Sequence, residues 1–184
     1  MRELSLNVMD VAQNSVRADA TLVKITVEES DKNDFLSILI EDDGCGMTAE
    51  QVSQVVDPFF TTRTTRKVGL GVPLFKLSAE QTGGSFDIQS EVGKGTLTKA
   101  TYVKSHVDMT PLGDINSTVV ILIRCNPDID FVFTHSTDAD SFTLDTRELR
   151  TILEGVSLDT PDVIEWITQY LEEQTQIICG GAKL

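Results

Sequence analysis

Residues 38–47 read Ile38-Leu39-Ile40-Glu41-Asp42-Asp43-Gly44-Cys45-Gly46-Met47, an apolar strand end that runs straight into two aspartates and two glycines one residue apart. Phe35 to Ile40 is rich in aromatic and β-branched side chains, the composition of a strand. The glycine pair permits positive φ and a close approach of the backbone to a ligand. Asp42, at the end of an otherwise apolar strand, needs a donor partner. A D-D-G turn alone is an ordinary tight turn, so the meaning of this stretch depends on its surroundings.

Upstream, a helix is expected from about Arg2 to Ala18, with Leu4, Val8 and Val11 on one apolar stripe and Met9, Ala12 and Val16 beside it. Thr21 to Val27 forms a strand, joined to Phe35–Ile40 by the polar turn at residues 28–34. Downstream, Thr48 with Gln51 makes a capping box for a short helix that stops near Asp57, because Pro58 follows. A helix from about Val72 to Gln81 is stopped by Gly83-Gly84, and Ser85–Glu91 with Thr96–Val107 forms a hairpin. Such mixing predicts an α+β fold, a mixed sheet covered by helices on one face.

The first helix carries a polar line. Asp10, Asn14 and Arg17 fall at i, i+4 and i+7 and share one face, with Glu3 and Asn7 extending the line backwards. Taken alone this is a solvated surface. The alternative is a carboxylate, an amide and a guanidinium converging on a metal-bound phosphate, for which an Asn oxygen is a hard Mg²⁺ ligand and Arg the natural clamp.

The chain has 184 residues, 40% apolar and 24% charged, with a formal charge of −14. That is long enough for a sizeable core. So acidic a surface argues against general nucleic-acid or anionic-membrane binding, which needs a basic face. No apolar run approaches ~18 residues and no basic leader precedes an apolar one, so neither a membrane span nor a secretory signal is expected. Cys45, Cys125 and Cys179 form no C-x-x-C, which suits free thiols in a cytoplasmic protein. Charge is uneven: residues 1–104 carry net −4 and residues 105–184 net −10. The seam is placed at Ser105 to Asp114, giving a first domain at 1–104 and a small acidic α+β appendix at 105–184. The appendix reads as a helix from Asp114 to Cys125, a hairpin of Phe131–His135 and Ser141–Leu144, and helices at Thr146–Glu154 and Pro161–Ile178. It is expected either to continue the main sheet or to stand as a separate lobe, with Trp166 in its core.

Two further blocks complete the pattern. Asp57-Pro58-Phe59-Phe60-Thr61-Thr62-Arg63 leads to Lys67-Val68-Gly69-Leu70-Gly71 at a helix start, and Gly93-Lys94-Gly95-Thr96 closes the hairpin turn. A glycine-rich entry to a helix N-terminus presents free N–H groups and a positive dipole end, and Arg63, Arg66 and Lys67 add cations to the same loop. Four blocks in this order resemble the ATP-binding domain shared by the DNA gyrase, chaperone, histidine-kinase and MutL families, the GHKL or Bergerat-fold ATPases, over about residues 3–104. The wording is nearest the histidine-kinase branch.

The resemblance implies that ATP and Mg²⁺ are the ligands, with Asn14 coordinating the metal and Arg17 touching the phosphates. It implies that Asp42 accepts from the adenine amino group, that Gly44 and Gly46 let the backbone pass the base, and that Met47 walls it. Thr62, Arg63, Arg66 and Lys67 would lie in a lid hinged at Gly69, Leu70 and Gly71, and Thr96 would join the adenine network. The branches that hydrolyse ATP carry Glu four residues before the Asn; here Asp10 stands there. One methylene less moves a base by ~1.5 Å, and about 1 Å can cost ~10²-fold in rate. Slow hydrolysis, or phosphoryl transfer to a protein, is therefore expected. Asp43 stands where Asn is frequent in the family, which adds a negative charge near the site. No phosphoacceptor helix is expected before the domain, and neither His106 nor His135 is expected to lie in such a helix, so autophosphorylation is not expected of this chain. The expected function is an ATP-binding regulatory protein acting through its lid on a protein partner; the alternative is a protein kinase, of the anti-sigma-factor serine kinase type or related to histidine kinases. A pure interaction module with a vestigial site is the third reading, opposed by the full set of site residues.

Overall fold

The computed structural model describes residues 3–57 and 70–180. In chain order these form α1 (Leu4–Arg17), β1 (Leu22–Ser30), β2 (Phe35–Asp42), α2 (Ala49–Val55), α3 (Gly71–Gln81), β3 (Ser85–Glu91), β4 (Gly95–Val103), α4 (Ile115–Cys125), β5 (Asp130–Ser136), β6 (Ser141–Asp145), α5 (Thr146–Leu153) and α6 (Pro161–Ile178). The strands make one six-stranded sheet in the order β3-β4-β2-β1-β5-β6, antiparallel except at the β1–β5 pair.

Strand alternation decides which face is covered. Val23, Ile25 and Val27 of β1, Leu36, Ile38 and Ile40 of β2, and Phe131 and Phe133 of β5 are buried under the helices, while Lys24, Glu28 and Lys99 are exposed. Onto the apolar face α1 lays Leu4, Val8, Val11 and Ala12. It is flanked by α3 and α4, and α6 lies beside α4. Each fully buried Val, Leu, Ile or Phe among them contributes roughly 1.5–3 kcal/mol of transfer free energy.

Residues 105–180 continue the same sheet. β5 pairs in parallel with β1 from Leu22↔Asp130 to Glu28↔Ser136, with α4 as the crossover. Phe131, Phe133, Val119, Leu122 and Leu171 join the core that α1 and β1 begin. The seam itself is stitched to α1: Leu4 N–H donates to the Pro111 carbonyl at 2.9 Å and Ser5 N–H to Leu112 at 2.8 Å. Those are donors a helix leaves free at its first turn.

Several boundaries differ from the sequence expectation for identifiable reasons. β4 ends at Val103, not Val107, because Val103 faces Phe35, the first residue of β2, and no partner strand lies beyond. Ser105 is instead held by Asp34 through its N–H and hydroxyl at 2.8 and 2.6 Å. Trp166 is not in the core: it is 49% exposed and stacks on Tyr170 with ring centroids 5.2 Å apart. The buried stripe of α6 runs through Ile167, Leu171 and Ile178, and Trp166 lies one position off it. α3 begins at Gly71, so Pro73 sits in its first turn, where it is tolerated. Both expected caps form: Thr48 and Gln51 bond each other's backbone N–H, and Asp114 accepts from Ser117 N–H at 2.9 Å.

Candidate functional site

The C-terminal half of α1, the end of β2 and the start of α3 meet at one end of the sheet. Ser15, buried on α1, donates its hydroxyl proton to Asp42 Oδ2 at 2.6 Å, and Gly44 N–H donates to Asp42 Oδ1 at 3.0 Å. Two donors from two elements therefore fix one carboxylate. An ionised carboxylate has about four acceptor positions, so lone pairs remain on Asp42 for a ligand N–H.

The glycines next to it are there for space. Gly46 has φ +65 and a side chain on it would strike the Glu91 carbonyl. The loop is anchored by Cys45 N–H to the Ala18 carbonyl at 2.8 Å and Gly93 N–H to the Cys45 carbonyl at 2.8 Å. It thus bridges the end of α1 and the β3–β4 turn. Met47 N–H donates to Ser90 Oγ at 2.8 Å, and Ser90 also contacts the Gly95 carbonyl and Thr96 Oγ1, each at 2.9 Å. One hydroxyl proton serves Ser90, so with Gly95 as its acceptor, Thr96 donates to Ser90. Thr96 is the register partner of Asp42 across β2 and β4.

On α1, Asn14 is half-buried, and its Oδ1 accepts from Arg17 Nη1 at 3.2 Å. Asp10 is exposed, one turn back. The start of α3 abuts it: a Cβ on buried Gly71 would lie 2.6 Å from Asp10 Cβ. Leu70, the residue before α3, is 53% exposed. The glycine-led helix start is thereby brought against the polar face of α1.

Two residues of that polar face depart from the expected line. Asn7 is buried and turned towards Ser78, because it falls between Leu4 and Val11 on the apolar stripe. Glu3 lies against Gly113 and Asp114. Asp43 also plays another part. Its carboxylate accepts from Thr21 N–H, Thr21 Oγ1 and Leu22 N–H at 2.7, 2.6 and 2.9 Å, which ties down the start of β1. Slight burial pushes its pKa up, but the bonds from Thr21 and Leu22 outweigh this and leave it lowered.

Asp10, Asn14, Arg17, Asp42, Gly44, Gly46, Met47, Leu70, Gly71 and Thr96 thus cluster around one end of the sheet. Thr62, Arg63, Arg66, Lys67 and Gly69 lie outside the described residues. The sequence reading missed Ser15 and Ser90; the only sign of Ser15 was its place next to Asn14 on the inward side of α1. Among the described residues no group of three His, Cys, Asp or Glu could hold a metal. A single neutral oxygen at Asn14 fits Mg²⁺ carried chiefly by phosphate and water, the usual way that ion is bound.

Comparison with known proteins follows the same boundary. Residues 2–105 match the family described as Histidine kinase-, DNA gyrase B-, and HSP90-like ATPase. The sensor protein SrrB of Staphylococcus aureus (strain NCTC 8325 / PS 47) is 37% identical over 101 residues, 52% of this chain and 17% of SrrB, and SrrB of strain COL matches equally. The chain thus spans only 17% of the length of these curated relatives. Among solved structures, the N-terminal domain of a DNA repair protein has the same fold with a TM-score of 0.54 at 13% identity, covering 79% of this chain and 52% of that one. The Aquifex aeolicus MutL ATPase domain complexed with ADP gives 0.47 at 14% identity, covering 84% of this chain and 70% of that one.

Proposed function

Because the chain belongs to the histidine kinase-, DNA gyrase B- and HSP90-like ATPase family, we propose that it binds ATP with Mg²⁺ at this end of the sheet and acts as a cytoplasmic regulatory protein, signalling nucleotide state to a protein partner. The observation that carries the reading is Asp42, held by Ser15 and Gly44 with lone pairs to spare. In this reading the carboxylate accepts from the adenine amino group. Guanine offers a carbonyl oxygen at the same place, and a carboxylate repels it. Gly44 and Gly46 admit the base against the backbone, Met47 walls it, and Thr96 extends the hydrogen-bond network.

Asn14 would hold Mg²⁺, which when bound screens the phosphate charge. Arg17 lets go of Asn14 and clamps the phosphates. The start of α3 presents its amide groups to them, behind the Gly69-Leu70-Gly71 hinge. Thr62, Arg63, Arg66 and Lys67 supply the lid, and its opening and closing is what a partner reads. Asp10 is short for a hydrolytic base, so turnover is slow.

A second reading is favoured by the exposure of Asp10, which a partner's hydroxyl can reach. The chain is then a protein kinase: the hydroxyl oxygen bonds the γ-phosphorus, the bond to the β–γ bridging oxygen breaks, ADP leaves, and the proton passes to Asp10 or to solvent. Single turnover with γ-labelled ATP separates the two, as label on a protein or free phosphate alone. The shared premise is tested by thermal melting. ATP–Mg²⁺ at ~100 times its dissociation constant adds about 2.7 kcal/mol of stability, and GTP–Mg²⁺ adds none; equal shifts with both contradict the role given to Asp42.

A further inference from the structure

The far end of the sheet holds a cavity that the nucleotide reading does not use. Its volume is about 740 Å³, and it lies between the start of α4, the last turns of α6 and the ends of β1 and β5. Small-molecule sites run to roughly 300–1,000 Å³. β1 pairs with Asp42 at Val23 and reaches the cavity at Glu29. Six residues of strand put the two places about 20 Å apart.

The cavity floor has an unmet hydrogen-bonding group. His135 is 2% exposed, and its Nε2 lies 3.0 Å from Glu29 Oε1. Glu29 Oε2 takes Lys104 Nζ at 3.0 Å. The bond from His135, with help from Lys104 and against the cost of burial, holds the Glu29 carboxyl below its ordinary range. An ionised carboxylate only accepts, so the His135 tautomer that serves Glu29 carries its proton on Nε2 and leaves Nδ1 as an acceptor. Nδ1 is buried and has no partner among the described residues. An orphaned buried acceptor costs roughly 1–3 kcal/mol, so a ligand that donates to it gains on binding.

The lining also fixes the sign of that ligand. Among the described residues, its ionisable side chains besides His135 are Glu29, Asp114 and Glu172, with a cysteine and neither Lys nor Arg. The α4 N-terminus, ordinarily an anion site, is already taken, since Asp114 caps Ser117 N–H and the Gly113 carbonyl takes Ile115 N–H at 3.0 Å. The α6 end that lines the cavity is its C-terminal one, the negative end of that helix. A donor bearing positive charge fits all three features.

We propose that this cavity binds a small organic cation with N–H donors, an ammonium or amidinium compound, whose donor bonds His135 Nδ1 while Glu172 at the rim faces its charge. The full chain has two histidines, His106 and His135, so imidazole ¹⁵N spectra report the site directly. Agmatine and benzylamine serve as cationic probes, with benzyl alcohol and benzoate as neutral and anionic counterparts. The cations shift His135 Nδ1 and not His106, and they raise the melting temperature. Glu172→Gln weakens them by up to about five-fold, the worth of one exposed charge. Gln176→Trp, placed at an exposed position of the lining, abolishes the response. Asp42→Asn leaves it intact, which separates this site from the nucleotide site. No shift of His135 with either cation, an equal shift with benzoate, or an undiminished response in Gln176→Trp overturns the proposal.

Discussion

In the proposed reading Asp10 takes the place of a catalytic base, one methylene short. Its exposure leaves room outward for a longer chain. Asp10→Glu is expected to raise the steady-state ATPase rate by about ten-fold or more, up to ~10²-fold, without changing ATP affinity; phosphate release measured on both proteins checks it, and an unchanged rate would place the base elsewhere. Among single residues the sequence was readable where a motif is short-range. Asp42, Gly44 and Gly46 lie within five residues, an ordinary turn by themselves that takes its meaning from the other blocks that stand in order around it. Ser15 and Ser90 were not readable. A serine's role depends on what folding brings to it, and Ser15 meets Asp42 from 27 residues away. Asp43 was expected to add charge near the site, but its hold on Thr21 and Leu22 was not readable, since no local pattern announces those donors.

Helices and strands were legible from period and caps, and their ends were not. β4 stops where β2 runs out of residues to pair, a fact of register rather than composition. In the last helix a rotation of one residue decides burial, since Ile167 is buried and its neighbour Trp166 is half exposed. Ile167→Ala is expected to cost about 2–5 kcal/mol and Trp166→Ala about 1 kcal/mol, the worth of its stacking on Tyr170; chemical denaturation of both variants measures the gap, and similar costs would contradict the placement of α6. Between β1 and β5 the Glu29–His135 bond makes a pH prediction. The folded pKa of Glu29 lies below its ordinary 4.5, so its contribution is present above that pH and is lost as pH falls through the folded value. Glu29→Gln should therefore be less stable by about 1 kcal/mol near neutrality, with the gap closing on acidification below 4.5. A gap that widens in acid would reverse the sign assigned here.

The acidic second part of the chain supplies one third of the sheet's strands and the crossover that reaches them, yet composition alone marked it as an appendage. Its charge is borne on surfaces, while Phe131, Phe133 and Leu171 enter the common core, so charge balance was a poor guide to architecture. A fragment ending at Lys104 would leave β1 without its parallel partner and uncover Val23, Ile25 and Val27 on the side of α4. Such a fragment is expected to lose cooperative unfolding and to bind hydrophobic dyes, as calorimetry and fluorescence would show. A fragment that melts as sharply as the full chain would mean that the two parts fold independently. The function proposed for the whole molecule rests on a carboxylate at the end of β2 selecting adenine. Titration calorimetry of ADP–Mg²⁺ and GDP–Mg²⁺ into the full chain and into Asp42→Asn puts that selection to the proof. ADP should bind the natural chain, with its affinity lowered by about ten-fold or more in Asp42→Asn for one charged hydrogen bond lost, and GDP should give no heat with the natural chain. Equal ADP affinity in the two proteins, or GDP binding as tight as ADP, would refute it.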